Sequence, residues 1–245
     1  MCGFAPQMRL VPMKAKVAVL IPTLNEETTI GRVIDRIPVH TLLNDGYDTT
    51  IYVIDGDSED RTQQKALEKG AVVLPVTQPG KGAAMQYAFS AVRADLYIMI
   101  DGDNTYPPER ITDFLRLLQT NDVVAGSRLK GHIENGAMTR MNLFGNRVLT
   151  AVACALFKKE ITDLCTGFWG YRGHVIDNMN LVARGFEIEA DMFVECARLG
   201  FSIGEIAIEY NKRADQPKLS SITDGLKIGF FLLKRRITLD GGREP

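Results

Sequence analysis

Four short apolar runs constrain this chain more than any other feature. Each breaks off in polar residues and is followed by a stretch with helical spacing. They are Val17-Ala18-Val19-Leu20-Ile21, Thr50 to Ile54, Val72-Val73-Leu74 and Leu96 to Ile100. Runs that are apolar on both faces suit buried parallel strands, whose sheet is covered by helices on both sides. The intervening stretches, about Thr28 to Ile37, Asp60 to Lys69 and Gly82 to Val92, read as crossover helices. Pro107-Pro108-Glu109 opens another helix, because proline suits a first turn, and Asp122 to Ala125 reads as a fifth strand. The alternation predicts an α/β fold: a doubly wound, mostly parallel central sheet with helices on both faces.

Farther on, the pattern predicts a helix over Arg140 to Phe157, a strand over Gly167 to Tyr171 and a helix over Glu189 to Leu199. A strand over Ser202 to Ile208 and a last helix from about Ser221 to Arg236 follow. No stretch is rich enough in Pro, Gly or Ser to read as a linker. One domain over 16–220 is therefore expected, with an N-terminal extension over 1–15 and an amphipathic helix and tail over 221–245.

A formal net charge of −1 over 245 residues leaves no basic footprint for nucleic acid. The cysteines Cys2, Cys154, Cys165 and Cys196 form no CxxC pair, so free thiols in a reducing cytosol are expected rather than a disulfide framework or zinc site. The first dozen residues lack the apolar core of a signal peptide, and no apolar run reaches the roughly 20 residues that cross a bilayer. The expected location is cytoplasmic, either soluble or peripheral to a membrane.

If the sheet is parallel, the polar clusters after the early strands converge on one edge, where open α/β sheets bind ligands. These clusters are Pro22-Thr23-Leu24-Asn25-Glu26, Asp55-Gly56-Asp57-Ser58, Pro79-Gly80-Lys81-Gly82 and Asp101-Gly102-Asp103. Helix capping explains any one of them, since Asn25, Ser58 and Asp60 are good caps, but explains four together poorly. A carboxylate at the second strand end can accept hydrogen bonds from a ribose or a base edge. Lys81 lies between glycines that permit close backbone approach. Asp101 and Asp103 would repel each other without a counter-ion and suit a hard cation such as Mg²⁺ or Mn²⁺, which can hold phosphates in turn. A basic group follows, namely Arg128, Arg140, Arg147, Arg213 and Lys218, and arginine suits bidentate phosphate recognition. The plain alternative for these is a solvated surface, preferred for Arg147.

Taken together, Ile21 to Glu26, Val53 to Thr62, Gly80-Lys81-Gly82, Asp101-Gly102-Asp103, Gly126-Ser127-Arg128, Asp163 to Phe168 and Lys218-Leu219-Ser220 make the chain resemble a family-2 glycosyltransferase. The resemblance covers roughly residues 16 to 220 and points to the branch of dolichyl-phosphate mannose synthase and the polyprenyl-phosphate hexose synthases. It implies a single domain of the GT-A fold and an inverting, metal-dependent transfer of a hexose or N-acetylhexosamine. The sugar would move from a UDP- or GDP-linked donor to a polyprenyl or dolichyl phosphate at a membrane surface. By resemblance Pro22, Asn25, Glu26 and Asp55 would line the nucleotide pocket, with Lys81, Gly82 and Gly102 nearby. Asp103 would hold Mg²⁺ or Mn²⁺ with Asp101 beside it, and Arg128, Arg140, Arg213 and Lys218 would grip the acceptor phosphate. Gly56 stands where the family often has a second aspartate, with Asp57 as the substitute. Thr105 stands where mannose-transferring relatives typically carry glutamine, which keeps UDP-glucose and UDP-N-acetylglucosamine open. A homo-oligomer or a membrane-anchoring partner is compatible with this reading.

Alternatives remain at this stage. Asp101-Gly102-Asp103-Asn104-Thr105 fits the DxDxT pattern of a haloacid-dehalogenase-type phosphatase, in which Asp101 would be the nucleophile. A glycosyltransferase with a hydroxyl acceptor would need a base, for which Glu187, Glu189 or Asp191 could serve. A non-catalytic nucleotide-sugar-binding subunit would have little use for the intact aspartates. The glycine fingerprints of Rossmann dehydrogenases and P-loop enzymes are missing. In the last helix, Ile222, Leu226, Phe230, Leu233 and Ile237 recur at helical spacing, with Phe231 and Leu232 widening the apolar face. From Lys212 to the end, eight Lys/Arg against four Asp/Glu give 8 − 4 = +4. Such a helix either lies in a lipid interface or packs on its own domain.

Overall fold

The computed structural model describes residues 14–213 and 221–241, apart from the side chains of 221, 222, 240 and 241. Lys218, Ile222, Cys2 and most of the N-terminal extension lie outside the described residues or side chains.

Seven strands form one sheet: β1 (Ala15–Thr23), β2 (Tyr47–Asp55), β3 (Val72–Pro75), β4 (Leu96–Met99), β5 (Val123–Ser127), β6 (Trp169–Arg172) and β7 (Ile203–Ala207). Their order is β3-β2-β1-β4-β6-β5-β7. All neighbours are parallel except β6, which runs antiparallel between β4 and β5. The helices are α1 (Ile30–Arg36), α2 (Val39–Asn44), α3 (Thr62–Glu68), α4 (Lys81–Ala91), α5 (Ile111–Leu117), α6 (Arg140–Phe157), α7 (Gly173–Asn178), α8 (Ile188–Leu199) and α9 (Ser221–Gly241). A 3₁₀ turn over Pro108–Arg110 leads into α5.

The double burial read from the first run is visible in β1. Val17, Val19 and Ile21 join one core cluster, while Ala18 and Leu20 join the other on the opposite face. The first cluster includes residues of α1, α3 and α5, and the second includes residues of α4, α6, α8 and α9. The expected helices and strands all form, with ends shifted by a few residues. α2 and α7 were not expected: helices of six residues are too short for a 3.6-residue period to show. β2 begins at Tyr47, earlier than expected, because Asp48 and Thr49 pair with Lys16 and Val17 despite their polarity.

α9 packs against both α6 and α8. Ile228 and Leu232 are buried, whereas Leu226, Phe230, Leu233 and Ile237 stay exposed. Leu232 therefore faces the core instead of widening the outer apolar face, as its hydrophobicity alone suggested. No helix among the described residues is long and apolar enough to cross a membrane.

The order of strands reverses at β1, which lies between β2 and β4, so the ends of these strands open a crevice there. The antiparallel β6 starts at that same edge. It carries the segment before it, Asp163 to Phe168, to the ends of β4 and β5.

Candidate active site

The loops after β1 and β2 are stitched together at the crevice. Asn25 takes a left-handed φ of +51°, which asparagine tolerates better than most residues. Its backbone N–H donates to Ser58 Oγ (2.8 Å) and its Oδ1 accepts from the Glu59 N–H (2.9 Å). The Glu26 N–H donates to Thr62 Oγ1 (2.8 Å). Asp55 is fully buried. Its Oδ2 accepts from the Ser58 N–H (2.9 Å) and Gln63 Nε2 (2.7 Å), and its Oδ1 accepts from Ser58 Oγ (2.6 Å). Neither Asn25 nor Ser58 caps a helix: Thr29 precedes α1 and Arg61 precedes α3. Pro22 is half-buried opposite Ile54, and Asp57 is exposed at a φ of +70°.

Asp101 and Asp103 follow β4. Gly102 fits between them because a Cβ there would stand 2.7 Å from Thr23 Cγ2. Each aspartate has its own cation. Lys81 Nζ lies 2.6 Å from Asp101 Oδ1 and 2.5 Å from Glu189 Oε1. Arg213 Nη1 lies 3.1 Å from Asp103 Oδ2, and its Nη2 pairs with Glu26 Oε1. The other Asp103 oxygen accepts from the Thr105 N–H (3.1 Å) and hydroxyl (2.6 Å). Burial and the neighbouring Asp101 charge push the Asp103 carboxyl above the usual range, against the pull of Thr105 and Arg213. Burial works against the Lys81 charge, but Asp101 and Glu189 outweigh it and hold the ammonium above the ordinary lysine range. The two carboxylates thus favour the charged form of Lys81 at the crevice.

The glycines around Lys81 make room for the chain's own backbone. A Cβ on Gly80 would collide with the Arg184 carbonyl and one on Gly82 with that of Ala183. The Gly82 N–H donates to Gly185 O (3.1 Å). Gly167 plays the same part beneath Asp101, whose carboxylate a Cβ would strike.

Arg128 lies under this layer. It is buried in a two-pronged pair with Asp163, Nε to Oδ2 at 2.7 Å and Nη2 to Oδ1 at 2.8 Å, and Nη2 also donates to Cys165 O (2.8 Å). Asn146 Nδ2 donates to Asp163 Oδ1 (2.6 Å), and the guanidinium sits 5.1 Å from the Tyr210 ring centroid. Burial alone would raise the Asp163 carboxyl, yet Arg128 holds it below the ordinary carboxylate value of 3.8. Arg140, the first residue of α6, and Arg147 are both exposed. Cys154, Cys165 and Cys196 are free, and burial pushes the Cys165 thiol up to about 12.

The fold thus gathers Glu26, Lys81, Asp101, Gly102, Asp103 and Arg213, while Asn25 and Asp55 shape the adjoining loops. It also adds Thr105, Gly167 and Glu189 as direct partners. Glu189 was legible only as a candidate base, since nothing in its spacing announces Lys81, 108 positions earlier. No cluster of three or more His, Cys, Asp or Glu placed to hold a metal ion occurs among the described residues. Asp101 and Asp103 nevertheless suit the way Mg²⁺ is commonly held, by one or two carboxylates with water and substrate phosphates filling the other positions.

The Glycosyl transferase family 2 pattern matches residues 18–179, from β1 through this carboxylate pair to α7. The chain belongs to that family. It is 33% identical over 232 residues to the glycosyltransferase AglJ of Haloferax volcanii, covering 93% of this chain and 74% of that protein. It is likewise 33% identical over 221 residues to a dolichyl-phosphate hexose transferase of the same organism, covering 89% and 92%. Dolichol-phosphate mannosyltransferase of Pyrococcus furiosus is 28% identical over 188 residues, 74% of this chain and 53% of that protein. Among solved structures, glucosyl-3-phosphoglycerate synthase of Mycobacterium tuberculosis, in complex with Mn²⁺, UDP-glucose and phosphoglyceric acid, superposes with a TM-score of 0.73 at 24% identity, covering 91% of this chain and 80% of that one. The fold is therefore GT-A and the chain is a glycosyltransferase. Family membership removes the phosphatase reading of Asp101 to Thr105.

Proposed function

We propose that this glycosyltransferase moves a hexose or N-acetylhexosamine from a UDP- or GDP-linked donor to a polyprenyl or dolichyl phosphate, with inversion, at the cytoplasmic face of a membrane. The observation that carries this reading is the carboxylate pair at the switch point with a cation on each side, Lys81 on Asp101 and Arg213 on Asp103. The names of the Haloferax and Pyrococcus relatives supply the acceptor class. The metal follows from the donor set and from the Mn²⁺ and UDP-glucose bound by the structural relative.

Mg²⁺ or Mn²⁺ on Asp101 and Asp103 would supply charge neutralisation for the donor diphosphate. The residues of the chain do the rest. The stitched loops around Asn25 and Asp55 line the nucleoside side, with Pro22, Glu26, Asp57 and Gly82 around them. Lys81 gives a fixed positive charge, and Arg213 spans from Glu26 to Asp103 where the diphosphate and the acceptor meet. Arg140 and Lys218 add charge for the acceptor phosphate. Arg128 braces the site from below through Asp163, with its guanidinium edge as a further phosphate contact.

A phosphate acceptor needs no base, because its second pKa lies near 6 and its oxygen is already ionised at neutral pH. Two of the three carboxylates that could serve as a base are engaged elsewhere. Glu189 is tied to Lys81, and Asp191 accepts the Val182 and Ala183 N–H groups while pairing with Arg235. In catalysis the task is to shield two anions and align them.

Incubation with UDP- and GDP-sugars, polyprenyl phosphate and Mn²⁺, with and without chelator, tests the reading. Chelator-sensitive transfer to the lipid is expected. Transfer only to hydroxyl acceptors would overturn the lipid assignment.

A further inference from the structure

Residues 179–187, between α7 and α8, cross to α4 as a strap with no regular structure of its own. Its backbone N–H groups face α8. Asn180 donates to Glu195 Oε2 (2.9 Å), and Val182 and Ala183 donate to Asp191 Oδ2 (2.6 and 2.8 Å). Its carbonyls face the start of α4. Arg184 O accepts from the Ala83 N–H (3.0 Å), Gly185 O from the Gly82 N–H (3.1 Å) and Ala183 O from Gln86 Nε2 (2.6 Å). The strap thus supplies acceptors to N–H groups that a helix start leaves without partners. Lys81 is the first residue of α4, so the strap seats its backbone, while Asp101 and Glu189 hold its ammonium.

The acids that hold the strap are themselves held from α9. Arg235 is buried, its Nε lies 3.2 Å from Asp191 Oδ1, and its Nη2 pairs with Glu195 Oε1. Asp191 and Glu195 stand four positions apart on α8, where like charges share a face and repel. Burial pushes the Asp191 carboxyl above the usual range, against the pull of the Ala183 and Val182 N–H groups and of Arg235. Arg235 is the cation common to both acids. Without it, one buried carboxylate would have to turn away or take up a proton, and either change weakens its hold on the strap.

We propose that Arg235 is a positioning residue for glycosyl transfer: by holding Asp191 and Glu195 it fixes the strap, and the strap fixes Lys81 beside Asp101. A pair that served only to dock α9 would need no oxygen of Asp191 on another segment, yet Oδ2 accepts two strap N–H groups. The strap has little play against α4. A Cβ on Gly80 would collide with the Arg184 carbonyl, and one on Gly82 with the Ala183 carbonyl. In so tight a contact a displacement of the strap passes to Lys81 and is not absorbed on the way. The inference rests on the proposed function only for Lys81 facing the donor diphosphate.

The test is calorimetric titration of the full chain with UDP or GDP, whichever it binds, in the presence of Mn²⁺, together with amide hydrogen exchange. Arg235→Lys keeps the charge but loses the fork that meets two carboxylates. It should weaken nucleotide binding about fivefold or more. It should also speed amide exchange over 180–185, with β1 and β4 unchanged. Asp191→Asn leaves Arg235 its Glu195 partner; it should show the same pattern and serves if Arg235→Lys does not fold. Lys234→Met, on the exposed side of α9, should change neither reading. A double-mutant cycle separates positioning from general loosening. In a Lys81→Met background, Arg235→Lys should weaken binding by less than about twofold further, because the group it positions is gone. A loss undiminished in that background, unchanged nucleotide binding in both Arg235→Lys and Asp191→Asn, or unchanged strap exchange in both would each overturn the proposal. If Lys81→Met binds nucleotide as the wild type does, the donor role of Lys81 falls and the proposal with it. The expected nucleotide effects without transfer to polyprenyl phosphate would sink the acceptor reading and leave the role of Arg235 standing.

Discussion

Two layers of charge lie one above the other at the crevice, and they differ in how they are satisfied. In the upper layer, Lys81 and Arg213 are shared among Asp101, Glu189, Asp103 and Glu26, and Asp103 carries a carboxyl pushed up by burial and its neighbour. In the lower layer, Asp163 is saturated by Arg128 and Asn146, and its carboxyl is held low. The same residue types thus make a frustrated site and a settled brace. The upper charges are compensated by partners that a bound anion and cation could replace. The lower ones are compensated by fixed local hydrogen bonds. That contrast predicts that substitutions above change turnover and substitutions below change stability.

The largest effect should come from the brace. Asp163→Ala strands the Arg128 guanidinium in the interior, and breaking a buried pair this way costs about 3–5 kcal/mol. Denaturant unfolding measures it; an unchanged midpoint would erase the difference between the layers. The same pair has a pH signature. The folded Asp163 value lies below the unfolded 3.8, so its contribution is present above that pH and fades as pH falls through the lower folded value. The stability gap between wild type and Asp163→Asn should therefore hold from neutral pH to about 4 and narrow below it.

Next in size is Asp103→Asn, which should cut transfer by roughly 10²–10³ while the unfolding midpoint moves little, as for loss of a group that stabilises developing charge. Steady-state rates with saturating Mn²⁺ check it, and near-normal turnover would break the assignment of the upper layer. Gly167→Ala pushes a methyl group into the Asp101 carboxylate without adding or removing a charge. A loss of about tenfold or more in kcat/KM is expected, and unchanged kinetics would show that the position of Asp101 is not critical.

The smallest effect on folding belongs to the exposed Arg140. Arg140→Ala should alter stability by less than about 0.5 kcal/mol yet raise the acceptor KM severalfold, with the donor KM unchanged. An equal rise in both would move Arg140 off the acceptor side.

The first half of the fold was legible because its central strands β1 and β4 are buried on both faces and its connections are helices, so hydrophobicity marks most of the elements, although the edge strand β3 is only half-buried. The aspartates after β4 were legible for the same reason: no apolar strand needs two carboxylates at its end. The second half was legible as elements but not as an arrangement. The residues of β6 look like any other short apolar run. Its antiparallel insertion between β4 and β5 depends on pairing between residues far apart in the chain, from Leu96 with Arg172 to Met99 with Trp169 at the two ends of the β4 pairing.

What the sequence determined by itself was the α/β class, the sheet edge where the polar clusters gather, the family and the two carboxylates, all of which follow from local patterns. The tertiary structure alone decided which cation meets which anion. Lys81 reaches Glu189, Arg213 reaches back to Glu26, and Arg128 turns under the site to Asp163, because ion pairs are set by proximity after folding and not by distance along the chain. It also decided which apolar residues of α9 are core and which are surface, since a helix with apolar residues on two sides has no preferred rotation until Arg235 finds α8.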